Sequence, residues 1–152
     1  MAAYSFKDIG ATINGPGGSI NIGMGAGVAE EGITFERTED ANTMTIGADG
    51  EVMHSHHVGN SGTVRLRLLK SSPTNGQLMD MLKAQRASGS EWGRNLIGLR
   101  DFVRGDKLVA SDVAFTGPPS LSFGKVGPIN EWVFHAGHIT EVLDKGVPPP
   151  TV

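Results

Sequence analysis

The chain has 152 residues, of which 38% are hydrophobic and 19% are charged. This composition fits one packed domain and excludes global disorder. There is no cysteine, which excludes a disulfide framework, a thiolate metal site and a cysteine nucleophile. The formal charge is −3, with the excess of acids in residues 1–42, and no basic stripe of the kind that grips nucleic acid is present.

Short segments of alternating apolar and polar residues dominate the chain. The clearest lies at 63–68, where Val64, Leu66 and Leu68 share one face of a predicted strand. Turn-forming residues separate the segments at 14–18, 48–50, 59–62, 104–106 and 117–119. In chain order, the predicted strands are 4–13, 20–22, 33–36, 43–46, 51–55, 63–68, 96–100, 107–115, 120–123, 131–135 and 138–143. This spacing predicts a mainly β fold, an antiparallel β-sandwich or barrel.

One α-helix, at about residues 73–87, flanks the predicted sheets. Ser72 is suited to cap its first amides and Pro73 to occupy its first position. Leu78, Met81 and Leu82 follow at helical spacing and should cover one face or end of the sheets. We expect a single domain over 1–152, with 145–152 as a flexible C-terminal tail because of its prolines.

No apolar stretch approaches the roughly 18 residues of a membrane helix, and residues 1–13 do not resemble a signal peptide. We therefore expect a soluble protein that is made in a reducing compartment and has no membrane partner.

Two motifs invite a binding hypothesis, and their spacing argues against both. A dinucleotide loop has the pattern G-x-G-x-x-G, but Val28 follows the glycines at 23 and 25, and Glu30 follows those at 25 and 27, where the third glycine should stand. No helical pattern follows either, so a flexible loop is predicted. His54 and His56 would share a strand face while His57 points the other way. Two nitrogen ligands are too few for a zinc site, and His135 and His138 are distant in sequence. We predict no cofactor and no metal site.

Catalytic candidates are also weak. The adjacent acids Glu30-Glu31 and Glu39-Asp40 stand beside a predicted strand and are expected to be solvated turn residues. Arg104-Gly105-Asp106 spells a cell-adhesion tripeptide, but a hairpin turn is the better interpretation. Trp132 alternates with Phe134 and is expected in the core, and no nucleophile elbow occurs. We predict that the protein is not an enzyme and has no catalytic residues.

Several segments resemble a family of phage structural proteins of about this length. The resemblance begins with Tyr4-Ser5-Phe6-Lys7-Asp8 and continues with Gly25-Ala26-Gly27-Val28-Ala29-Glu30-Glu31-Gly32-Ile33-Thr34. Further matching segments are 43–55, 61–64, 67–73, 104–106, 130–134 and 136–137. Together they span nearly the whole chain and resemble the tail tube proteins of contractile-tailed bacteriophages, the subunits of the myovirus inner tail tube.

The resemblance implies a virion structural protein that is assembled in the host cytoplasm and located in the phage tail. Hexameric rings would stack into the inner tail tube through which DNA is ejected. The implied partners are other copies of the chain, the tail sheath protein, and the baseplate and tail terminator proteins. The tape measure protein and DNA would pass through the lumen without specific binding.

Physical reasoning agrees with assembly. A lateral contact that closes gives a ring, and a stacking contact that does not close gives a polymer. Exposed strand edges could pair across subunits, and the glycine-rich hairpins at 14–27 and 47–62 are expected to order only against neighbouring subunits. Excess acids of residues 1–42 are expected to line a lumen that does not hold DNA.

Two alternatives remain open from the sequence. One is a baseplate or tube-initiator ring protein of the same fold that never polymerises. The other is a monomeric β-sandwich carbohydrate-binding module, for which Trp92 and Trp132 would supply the stacking surface.

Overall fold

The computed structural model describes residues 4–143, and the fold is mainly β, with 49% strand and 12% helix. A short 3-10 helix, Phe6–Asp8, precedes the first strand. The helix α1 spans Thr74–Arg86. The strands are β1 (Ile9–Gly15), β2 (Gly18–Asn21), β3 (Val28–Arg37), β4 (Asn42–Ile46), β5 (Val52–His56), β6 (Gly62–Leu69), β7 (Asn95–Asp101), β8 (Lys107–Phe115) and β9 (Ile129–Val142).

Seven strands form one antiparallel sheet in the order β2-β1-β7-β8-β9-β6-β3, while β4 and β5 pair only with each other. The large sheet curls into a half-barrel. This confirms the predicted mainly β fold with one flanking helix. The predicted tail at 145–152 lies outside the described residues.

The core lies on one face of the curled sheet. Strand β6 is central to it, because Val64 and Leu66 stand opposite Phe134 and Trp132 of β9, and none of these four side chains is more than 1% exposed. The period of two in β6 thus places one set of side chains in the core and the other on the outer face. The ring of Phe115 packs edge-on against Trp132, with the ring centroids 6.1 Å apart.

Helix α1 covers part of this core face. Its stripe of Leu78, Met81 and Leu82 is buried in the same cluster as the strand residues, as predicted. Ser72 Oγ accepts from the amide of Thr74 at 3.2 Å and donates to the carbonyl of Ala26. The helix begins at Thr74, so Pro73 stands at the N-cap position and not at the first helical position that was predicted. Ser72 still binds the first helical amide and also ties the helix start to the segment before β3.

A pair of buried amides fixes the end of the helix against the sheet. Gln85 Nε2 donates to Asn95 Oδ1 at 2.7 Å, and Asn95 Nδ2 donates to Gln85 Oε1 at 2.8 Å. Asn95 Nδ2 also donates to the carbonyl of Val113 at 3.0 Å. Neither side chain is more than 1% exposed, so each depends on the other for hydrogen bonding.

Several predicted strands differ from the structure. The strand predicted at 4–13 begins only at Ile9, because Ser5 Oγ accepts from the amide of Lys7 and starts the 3-10 turn. The strand predicted at 120–123 is not formed. Phe123 is 81% exposed there and lies against the ammonium of Lys70, which donates to the carbonyl of Ser122. The preceding prolines have no backbone N–H to donate, so they do not support pairing of this segment with a strand.

The strands predicted at 131–135 and 138–143 are one continuous strand, β9. Gly137 lies between the two predicted segments. In the fold it faces the bulged residue Asp112, whose φ is +52°, and a Cβ at Gly137 would lie 2.9 Å from the Cβ of Asp112. The glycine is therefore needed for close approach to a bulge in β8 rather than for a turn.

We predict that Asn95→Ala destabilises the fold by about 1–3 kcal/mol, because it leaves the side-chain amide of Gln85 buried without its partner. Urea unfolding measures the change. Gln77→Ala, on the exposed face of the same helix, is the control, and an equal midpoint for the two variants would show that the amide pair does not stabilise the fold.

Candidate assembly surfaces

The histidines do not converge on a metal site. His54 and His56 share one face of β5, as predicted, opposite Met44 and Asn42 of β4. His57 lies on the other side, where its Nε2 is 2.6 Å from Thr43 Oγ1. Over residues 4–143, no group of three or more His, Cys, Asp or Glu side chains is placed to hold a metal ion.

The glycine-rich segment is a loop that contains a turn, and its backbone is hydrogen-bonded to a neighbouring side chain. Asn21 accepts from the amide of Gly23 and donates to the carbonyl of Met24. Gly25 and Gly27 have φ of +93° and +75°, which favours glycine. The segment leads into strand β3 rather than into a helix, so it offers no helix N-terminus to a phosphate.

The expectation that 14–27 orders only against neighbouring subunits was wrong. Ile20, Ile22 and Ala26 are buried in the chain's own core. A Cβ at Gly23 would lie 2.6 Å from the amide nitrogen of Ala11, so the segment packs closely on β1.

The remaining candidates have structural roles. Asp101 Oδ1 accepts from the amides of Val103 and Arg104, so Arg104-Gly105-Asp106 belongs to a tight hairpin turn, as predicted. Glu30 and Glu31 lie on β3, so the prediction of turn residues was wrong for this pair, whereas Glu39 and Asp40 lie outside the strands.

Trp132 is buried, and its indole nitrogen donates to Asn75 Oδ1 at 2.9 Å. It is a core residue, as predicted, and presents no ring for a sugar to stack on. Trp92, 39% exposed, is the remaining tryptophan.

The hairpin of β4 and β5, here called the arm, stands apart from the core. Met44, Ile46 and Val52 share one of its faces through the pairs Met44–His54 and Ile46–Val52. They are 54%, 62% and 48% exposed. An isolated two-stranded hairpin is marginally stable in water, so an apolar face on such a hairpin indicates that it is covered in the functional protein.

An open apolar groove lies where the core face is not covered by the helix. Ile33 and Phe35 of β3 approach Leu99 of β7 and Leu108 of β8 across a cavity of about 540 Å³. Residues before β1 and after β9 contribute Tyr4, Phe6 and Leu143, and Tyr4 and Leu143 are 67% and 75% exposed. This groove is a second apolar surface that a larger assembly would bury.

The outer face of β3, β6 and β9 is polar and internally paired. Glu131 accepts from Arg65 at 3.0 Å and from Arg67 at 3.2 Å. Arg65 also lies 3.9 Å from Glu36, and Arg67 donates to Thr34 Oγ1. These exposed ion pairs add little stability, but they leave this face electrically balanced.

The large sheet has two free edges, β2 and β3. Their unpaired backbone groups can add a strand from another chain. Strand β2 has four residues and β3 has ten with an irregular register between Val28 and Ile33. The longer edge is therefore the better site for pairing.

The model of the bacteriophage PhiTE tail tube protein family matches residues 1–144. The chain belongs to this family. It is thus a structural component of a phage tail, and the resemblance seen in the sequence is confirmed. No curated sequence is similar enough to count as a relative. Within residues 4–143, no helix has the length and apolar character to cross a membrane.

Solved structures share the fold. A chain of the sheath–tube complex of an extracellular contractile injection system, PVC, in the extended state is 13% identical, with a TM-score of 0.52 over 88% of each chain. A chain of the PVC sheath/tube terminator is 13% identical, with a TM-score of 0.55 over 93% of this chain and 98% of that one. A chain of the anti-feeding prophage baseplate is 14% identical, with a TM-score of 0.56 over 95% and 98%.

Sequence reasoning found both strands of the arm but missed that they leave the main sheet. One feature of the sequence that could have indicated this separation is charge, because residues 38–61 contain four acids and no lysine or arginine. A second was that both strands are only five residues long.

We predict that Ile46→Asp with Val52→Asp leaves the thermal melting temperature nearly unchanged, since neither side chain belongs to the core. Leu66→Ala, at a fully buried position, is the contrasting variant and should cost about 2–5 kcal/mol. A loss of stability in the arm variant comparable with that of Leu66→Ala would mean that the arm packs on its own subunit.

Proposed function

We propose that the protein is the subunit of the inner tail tube, that it assembles into stacked hexameric rings, and that phage DNA is ejected through their lumen. The observation that carries the proposal is the exposed apolar arm on a chain of the tail tube family. Free sheet edges supply a lateral contact that closes the ring, and the arm supplies a contact that continues from ring to ring.

The proposal assigns the protein no catalytic role. The family is one of structural proteins, and the residues that could have formed a site serve turns, the core or exposed hairpins. Assembly takes place in the host cytoplasm. The other tail components that it meets are the sheath, the baseplate and the terminator, and the tape measure protein and DNA occupy the lumen.

A second candidate is a baseplate, initiator or terminator ring of the same fold. The observation that favours it is that structures with the fold include a tube terminator and a baseplate component, at TM-scores of 0.55 and 0.56. Such a ring would form without stacking. The carbohydrate-binding alternative is disfavoured because Trp132 lies in the core.

We predict that the purified wild-type protein forms stacked rings or tubes in negative-stain micrographs, with six subunits in each ring. Isolated rings would favour the baseplate or terminator role. A protein that stays monomeric at high concentration would contradict both.

We predict that acids of residues 1–42 face the lumen and keep DNA from binding there. Glu36 lies near Arg65, so Glu39 and Asp40, which are exposed, are the members to test. Their replacement by lysine in the phage should slow DNA ejection, as fluorescence of a DNA dye reports. Unchanged ejection from intact virions would contradict a lumenal position.

A further inference from the structure

A hollow on the outer face of the sheet, here called the outer trough, is unlike the balanced face beside it. Its lining residues include Gly10, Gly98, Arg100, Phe102, Lys107 and Val109, and its volume is about 360 Å³. It lies on β1, β7 and β8, on the face opposite the core.

Glycines shape this trough. A Cβ at Gly98 would meet nothing within 4 Å, so the absence of a side chain there leaves open space rather than relieving a clash. At Gly10 a Cβ would lie 2.6 Å from the ring of Phe102, so that glycine allows the ring to lie on β1. Phe102 is nevertheless 68% exposed and forms an apolar wall.

Two like charges face each other at the trough. Arg100 and Lys107 are register partners on β7 and β8, a placement that is unfavourable for like charges. Among residues 4–143 neither makes a salt bridge. This differs from Arg65 and Arg67, which share Glu131. The pair therefore attracts a carboxylate from outside the described part of the subunit.

The arm has the complementary chemistry. Asp49 and Glu51 lie at its tip, between β4 and β5, next to the exposed Ile46 and Val52. Its turn is closed by two backbone bonds, in which the amide of Gly47 donates to the carbonyl of Glu51 and the amide of Gly50 donates to the carbonyl of Gly47. An acidic tip with an apolar flank matches a basic, apolar-walled hollow in both charge and polarity.

We propose that the arm tip of one copy docks in the outer trough of a second copy, with Asp49 and Glu51 meeting Arg100 and Lys107. The proposal rests on the proposed function and names the residues of one of its contacts. The open floor at Gly98 receives an apolar side chain of the arm, and the two carboxylates neutralise the two cations.

The test exchanges the charges. Arg100→Glu with Lys107→Glu, and separately Asp49→Asn with Glu51→Lys, should each raise the protein concentration needed for assembly at least about tenfold. Asn keeps an acceptor for the amide of Glu51, which Asp49 binds at 3.1 Å. Lys83→Glu on the exposed helix face is a charge-reversal control outside the trough and should assemble as wild type. Light scattering and micrographs report assembly, and circular dichroism reports folding.

Mixing the two double variants should restore assembly, because each arm then finds a trough of opposite charge. Gly98→Val tests the trough independently, without changing any charge. A Cβ at this position meets nothing within 4 Å, so the variant should fold, and the added bulk in the trough should prevent assembly at wild-type concentrations. If Arg100→Glu with Lys107→Glu does not fold, Gly98→Val and the variant of Asp49 and Glu51 together still test the docking site.

Assembly of the trough variant and of Gly98→Val at wild-type concentrations, in a sample where wild type forms rings, would overturn the docking site alone. If the mixture of the two double variants does not assemble, the docking site is likewise overturned. A wild-type protein that remains monomeric would instead overturn the proposed function.

Discussion

The structure depends on one curled antiparallel sheet whose core face is only partly covered. Strand β6 joins β3 to β9 and contributes Val64, Leu66 and Leu68, all fully buried. Helix α1 covers part of this face and is fixed by Ser72 at its start and by Gln85 near its end. The remaining part of the face is the open groove between β3 and the β7–β8 hairpin. A single helix on a sheet of seven strands leaves apolar surface exposed, and a partner subunit is the simplest way to bury it.

The same constraint explains the distribution of charge. The outer face of β6 and β9 is satisfied internally through Glu131, while the outer face of β7 and β8 carries Arg100 opposite Lys107. The arm contains acids without any lysine or arginine. One face of the chain is thus electrically balanced, while the trough is basic and the arm is acidic. Two different surfaces that attract each other are what a heterologous contact between copies requires. In this account the function of the protein lies in contacts with copies of itself.

Much of the fold could be predicted from the sequence because local signals were strong. Strand β6 was predicted because its alternating side chains match its alternating burial. The start of the helix was predicted because Ser72 binds an amide only two residues away. The predictions failed where a distant residue decides the local structure. The two strands predicted on either side of Gly137 are one strand, in which Gly137 approaches Asp112 of β8 closely. The exposed Phe123 lies against Lys70, which follows the end of β6.

The assembly surfaces were harder to predict than the core. Alternation shows that β4 and β5 are strands, but it does not show which strands they pair with. Likewise, Arg100 and Lys107 are seven residues apart, and only the register of β7 on β8 reveals that they face each other. The family resemblance supplied the role, whereas the geometry supplied the residues.

Hydrogen–deuterium exchange of the dispersed and assembled protein tests the central claim most directly. The arm, an isolated hairpin, should exchange rapidly in dispersed subunits because such hairpins open easily. On assembly its amides in 42–56 should become strongly protected, while those of the buried strand β6 stay slow in both states. Equal exchange of the arm in the two states would contradict the account, since the arm would then remain uncovered in the tube.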